Sequence, residues 1–215
     1  MKVLVTGGCS NLGKAICKTF LDNGFDVIKT SRSGIDSIKL DFEDDFDVDS
    51  LVREVGEIDV LINNAGIFTE GMQQTISQSD FDKVFDVNVK GLFRITRALL
   101  PVLEKKNGSI VNISSINAIH PGFGMTAHYD ASKAAVSAYT ASLALETGLR
   151  INAVAPGLLH SARLEGSTLE KRWNEHSVKA GMVDPDDVAR AVFFLATSHG
   201  IYGQTIIVDN GYLLK

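Results

Sequence analysis

The chain has only two cysteines, four prolines and one tryptophan in 215 residues, and no apolar run long enough to cross a bilayer. Cys9 and Cys17 stand eight positions apart, one in a glycine-rich turn and one in an expected helix, which is neither a disulfide framework nor a metal-like spacing. A reducing cytoplasm is the natural setting for such a chain. His120, His128, His160, His176 and His199 are scattered without ligand spacing, so no metal is expected. Positive charge is also in deficit: 21 Lys and Arg against 26 Asp and Glu leave a net charge of −5. That balance supplies no diffuse cationic field for nucleic acid or an anionic membrane, and any phosphate binding has to be local. The start, Met-Lys-Val-Leu-Val-Thr-Gly-Gly, turns polar too early for a secretory core. Small molecules are the partners left.

What is present is alternation. Strand-like runs near 2–6, 25–30, 36–40, 58–62, 108–114, 149–154 and 204–208 are separated by amphipathic runs near 11–23, 48–55, 80–105, 128–147 and 185–197. This is the pattern of a mostly parallel sheet covered on both faces, an α/β fold in one domain over 1–215. Ser79-Asp80 and Asp184-Pro185 read as helix starts, and Pro101 is expected to kink the long helix. The acids between Asp41 and Asp49 read as a solvated loop. Only about half a dozen residues separate the second and third strands, too few for a helical crossover, so the helix between them should be missing.

Two segments carry chemistry. Val3 to Gly13 runs from a buried strand through Thr6-Gly7-Gly8-Cys9-Ser10 into a helix, a context in which glycine lets backbone approach a pyrophosphate and helix N-terminal amides meet its charge. Tyr129-Asp130-Ala131-Ser132-Lys133 places tyrosine and lysine four residues apart on one helix face. A phenol with an ordinary pKa near about 10 is a poor base at neutral pH, and a neighbouring ammonium should lower it by stabilising the phenolate.

Ser115 lies at the end of the strand preceding that helix, and Ser114 beside it is its rival, because only one of the two can face the substrate. Together with Thr6-Gly7 and Gly13, Asn63-Asn64-Ala65-Gly66, Asn88, Pro156-Gly157 and Val208-Asp209-Asn210-Gly211, the set resembles the short-chain dehydrogenase/reductase family over nearly the whole chain. The resemblance implies a doubly wound, Rossmann-type, seven-stranded sheet of order 3-2-1-4-5-6-7 with a dinucleotide across the carboxyl ends of the strands. It implies Tyr129 as general acid and base, Ser115 rather than Ser114 as the hydrogen bond to the substrate oxygen, Lys133 as partner of both Tyr129 and the nicotinamide ribose, and Asn88 holding a water.

By the same resemblance the cofactor contacts are Gly7, Ser10, Asn11, Leu12, Ser31, Arg32, Asp41, Phe42, Asn64, Ala65, Gly66, Pro156, Gly157, Leu159 and Ser161, with Tyr129 and Lys133. Ser31 stands where an acid would chelate the ribose of NAD, and Arg32 follows as a clamp for a 2′-phosphate, so NADP(H) is expected before NAD. Residues 158–183 are expected to form a mobile substrate lid with Leu159, Leu164, Trp173 and Met182 inside. A homo-oligomer, a tetramer before a dimer, follows from the long helices. The implied reaction is hydride transfer between nicotinamide and a carbonyl or secondary alcohol. The alternative is a catalytically silent dinucleotide sensor or scaffold of the same fold, against which the full catalytic set argues. The substrate itself is not legible.

Overall fold

A computed structural model describes residues 1–44, 46–122 and 124–215 of the chain; Asp45, inside the acidic run, and Phe123 lie outside the described residues. Strands β1 (Lys2–Val5), β2 (Asp26–Ser31), β3 (Ile38–Lys39), β4 (Val60–Asn63), β5 (Ser109–Ile113), β6 (Arg150–Pro156) and β7 (Thr205–Val208) form one sheet in the order β3-β2-β1-β4-β5-β6-β7. The described pairings are all parallel. Order and strand count agree with expectation, and no helix stands between β2 and β3.

Successive strand residues point to opposite faces, and the core divides accordingly. Val3 and Val5 of β1 pack with Ile16 and Phe20 of α1 (Asn11–Asp22) and with Val188, Val192 and Leu195 of α7 (Pro185–Thr197). Leu4, between them, packs on the other face with Val55 of α2 (Val48–Val55), Leu99 and Leu103 of α4 (Leu92–Lys106) and Leu143 of α5 (Ala127–Thr147). Full burial of each such side chain contributes about 1.5–3 kcal/mol, so these two layers fix the strand ends on which the site stands.

The expected helix over 80–105 is three segments. α3 (Gln78–Phe85) opens at Ser77, whose hydroxyl accepts from the Asp80 backbone at 3.0 Å, so the cap lies two residues before the expected Ser79. A π-helical turn (Asp86–Gly91) then joins α3 to α4, which continues through Pro101 to Lys106. The departure from α geometry thus centres near Asn88, well before the proline. In the acidic run, Asp47 caps α2 by accepting from Ser50 at 3.0 Å and Asp41 accepts from the Glu43 backbone at 3.1 Å, so these acids do more than stay wet.

Candidate active site

At the carboxyl ends of β1, β2 and β4 the chain opens a cleft of about 420 Å³. This is the switch point, where the connections leaving β1 and β4 run to opposite sides of the sheet. Gly7, Ser10, Ser31, Arg32, Asp41, Phe42, Asn64, Ala65 and Gly66 line it, so nine expected cofactor positions converge. The turn after β1 needs its glycines: Gly7 has φ +62°, and a Cβ on Gly13 would lie 2.3 Å from the Gly7 carbonyl oxygen. Ser10 caps α1, accepting from Gly13 N at 3.0 Å. Thr6 braces the cleft, its Oγ1 accepting from the backbones of Asn64 and Ala65, each at 3.0 Å. Asn64 Nδ2 donates to the carbonyls of Thr6 and Gly7 at 2.9 and 3.0 Å.

Several expected contacts are engaged with the protein itself. The side chain of Leu12 is core, and the ring of Phe42 is buried against Gly91, where a Cβ would lie 2.5 Å from it. Asn11 donates to the His160 carbonyl at 2.8 Å, tying α1 to the segment after β6. Pro156 ends β6, Gly157 sits under Trp173, Leu159 bridges Val183, and Ser161 accepts from Leu164 N; none of the four lines the cleft. Ser31 completes a serine turn, bonding Ser37 at 2.7 Å. Arg32 pairs with Glu43 at 3.7 Å, and Lys83 holds the same carboxylate at 2.8 Å. Glu43 was not expected at the cleft, and only the fold reveals it.

Beside the cleft, β5 and α5 bring the proposed reacting groups together. Ser114 and Ser115 have different neighbours: Ser114 Oγ bonds the Lys133 carbonyl and Ser137, at 3.1 and 2.7 Å, whereas Ser115 faces Tyr129. Lys133 is 5% exposed; its Nζ donates to the Ile113 carbonyl at 2.9 Å and lies 5.8 Å from the centre of the Tyr129 ring. Burial lowers the Lys133 pKa to about 8. The Tyr129 phenol is pushed up to about 12, first by burial; Asp130 adds to the rise and the Ser115 hydroxyl opposes it. The Tyr129 pKa is thus raised rather than depressed as expected from Lys133, because desolvation dominates and the ammonium is engaged with a backbone carbonyl.

Asn88 is held at both ends of its amide. Its Oδ1 accepts from Ile67 N at 2.8 Å, and its Nδ2 donates to the Ile67 carbonyl and to Ser132 Oγ, each at 3.0 Å. The π-helical turn thereby clamps the loop after β4. Phe68 in that loop meets the Tyr129 ring edge-on at 4.9 Å, and nothing in its sequence context marks it.

The stretch expected as a lid contains α6 (Thr168–His176). Its base is fastened: Val183 N donates to the Leu158 carbonyl and His160 N to the Val183 carbonyl, both at 2.8 Å. Trp173 has no exposed surface, stacks on Tyr212 at 4.5 Å and donates to the Gly181 carbonyl at 3.1 Å. Among the described residues there is no metal-competent cluster of His, Cys, Asp and Glu, and no helix long and apolar enough to cross a membrane.

Residues 8–213 match the family model described as enoyl-(acyl carrier protein) reductase. The chain is 34% identical to the 3-oxoacyl-[acyl-carrier-protein] reductase FabG of Thermotoga maritima, across 98% of its own length and 97% of that protein. It is 29% identical to an acetoacetyl-CoA reductase of an Acinetobacter species, across 97% and 96%. Among solved structures, the ligand-free aldohexose dehydrogenase of Thermoplasma acidophilum superposes with a TM-score of 0.89 at 32% identity, covering all of this chain and 94% of that one. ElxO with NADP bound gives 0.88 at 32%, covering all of this chain and 99% of that one. With the motifs in place on the expected sheet, the chain belongs to the short-chain dehydrogenase/reductase family.

Proposed function

We propose that this protein is an NADPH-dependent reductase of ketone carbonyls, with 3-oxoacyl thioesters as the substrate class and Tyr129 as the proton donor. The observation that carries the reading is the convergence of Ser115, Tyr129 and a buried Lys133 beside a cleft shaped for a dinucleotide. The fit to that cofactor rests on the turn after β1, where the lack of a side chain at Gly13 lets α1 pack against the Gly7 carbonyl and bring its N-terminus to the cleft. Gly7, Ser10, Asn64, Ala65 and Gly66 would hold it, with Arg32 near the adenosine phosphate and Lys133 near the nicotinamide ribose. When bound, the nicotinamide supplies the hydride.

The rest is work for side chains. Burial keeps the Tyr129 phenol protonated across the neutral range, the form that gives a proton to a developing alkoxide. Ser115 donates to the same oxygen and stabilises its growing charge. Lys133, still largely an ammonium at neutral pH, offsets the phenolate left behind. This electrostatic setting favours reduction over alcohol oxidation, which would need the phenolate at the outset. The substrate class rests on the names of the curated relatives.

An apolar hollow between α4 and α5, lined by Val89, Leu92, Phe93, Ala135, Val136 and Tyr139, supports the further reading that these helices pair in a homo-oligomer, a tetramer before a dimer. The deciding experiment is NADPH oxidation with acetoacetyl-CoA. Tyr129→Phe should lose at least about 10² in turnover while NADPH affinity by fluorescence titration stays within about twofold. A folded Tyr129→Phe protein with wild-type turnover would show that the phenol is not the donor.

A further inference from the structure

Three parts of the stretch between Ser115 and Tyr129 meet at one carboxylate. Asp130 Oδ1 accepts from Asn117 Nδ2 at 2.7 Å, and Oδ2 accepts from Gly122 N at 3.0 Å and Thr126 Oγ1 at 3.1 Å. These donors sit in the 3₁₀ turn after Ser115 (Ile116–Ala118), in mid-loop, and at the residue before α5. Hydrogen bonds to an ionised acceptor are roughly twice as strong as neutral ones, so a single side chain gathers the loop onto the first turn of α5. Gly122 is fitted to the arrangement: a Cβ there would lie 2.5 Å from Thr126 Oγ1 and 2.6 Å from Asn117 Nδ2.

The gathered loop has a second side. His120, Pro121, Gly122 and Gly124 form one wall of an open cavity of about 610 Å³, with Arg172, Glu175 and His176 of α6 and Tyr212 opposite. This space is separate from the cleft at β1, and it adjoins the chain segment that joins the two proposed reacting hydroxyls.

We propose that Asp130 is a positioning residue: it ties Asn117, Gly122 and Thr126 to α5 and so sets the wall that holds the body of the ketone substrate against Ser115 and Tyr129. The inference rests on Tyr129 being the proton donor. Asp130 also raises the Tyr129 pKa, and the other groups around that ring are Lys133 on its own helix, Ser115 at the end of β5 and Phe68 after β4. His128, next to Tyr129, is engaged with Thr69 at 2.8 Å.

The test is steady-state reduction of acetoacetyl-CoA by NADPH in the wild type, Asp130→Asn, Gly122→Ala, the double variant and Tyr129→Phe. Asn at 130 removes the charge and turns one oxygen into a donor, so that Gly122 N or Asn117 Nδ2 loses its acceptor. KM for acetoacetyl-CoA should then rise about tenfold with kcat changed by less than about threefold, and NADPH affinity should not move. Gly122→Ala should reproduce the KM rise with kcat likewise held. The double variant should be no worse in KM than Asp130→Asn, since both changes release the same loop. A wild-type KM in Asp130→Asn, or multiplying KM effects in the double variant, overturns the inference. Should Asp130→Asn fail to fold, Thr126→Val removes a single donor and must raise KM in the same direction, or the inference fails. An inert wild type, or an active Tyr129→Phe, sinks the functional reading itself; an inactive Tyr129→Phe beside a normal Asp130→Asn sinks only the positioning role.

Discussion

Replacing Lys133 by methionine should stabilise the cofactor-free protein while destroying its activity. The ammonium is almost out of water, and its pKa falls from 10.5 to about 8 through burial. At about 1.4 kcal/mol per pKa unit, this fall is a penalty of about 3 kcal/mol on holding the charged form at neutral pH. Methionine keeps most of the stem and its packing but gives up the bond to the Ile113 carbonyl, at a cost of about 1–2 kcal/mol. The net expectation is a gain of about 1–2 kcal/mol near pH 7, read from urea unfolding at fixed protein concentration without cofactor. The sign with pH follows from proton counts. Between about 8 and 10.5 the unfolded chain binds the lysine proton and the folded chain does not, so the wild type gains stability as pH rises through that window. The advantage of Lys133→Met should therefore shrink from pH 8 to pH 10. A methionine variant less stable than wild type near pH 7, or one whose advantage is flat with pH, would refute the assignment of a strained, desolvated ammonium.

Arg32→Ala should weaken NADPH by about 1–3 kcal/mol and leave NADH nearly untouched in fluorescence titrations; equal losses would show that Arg32 does not read a phosphate. Gly157→Ala would set a Cβ 2.3 Å from Trp173 Cη2, and overpacking of that kind should lower stability by about 1–3 kcal/mol in thermal melts, whereas an unchanged melting temperature would mean that the indole shifts freely. Light scattering at micromolar concentration should report an oligomer that Phe93→Asp, a charge in the exposed hollow between α4 and α5, reduces in mass; a monomeric wild type rejects the pairing.

The sheet was legible because its signal is periodic. Buried runs such as Val3-Leu4-Val5 and Val60-Leu61-Ile62 alternate with amphipathic helices, and the shortage of residues between β2 and β3 by itself removes a helix. Ser115, Tyr129 and Lys133 were legible because their spacing is local and their chemistry is specific. Features that depend on the meeting of distant segments were not. Glu43 reaches Arg32 only because β3 is short, and Phe68 reaches Tyr129 only because Asn88 clamps the loop after β4. The electrostatics of Tyr129 went the other way from expectation for the same reason: spacing shows that a lysine is near, but only packing shows how little water is left.

The segment from 160 to 182 is closed at its base by the bridge of Leu159 to Val183, with further ties from Lys179 N and the Gly181 carbonyl to Asn210. Such an excursion can be lengthened, shortened or rewritten without disturbing strand register, since closing a longer loop costs only about 0.6 kcal/mol per doubling of its length. One part is not free to drift: an aromatic ring has to return to the slot that Trp173 fills above Gly157 and beside Tyr212. A lineage can thus exchange this cassette around a fixed plug while the sheet beneath is inherited intact.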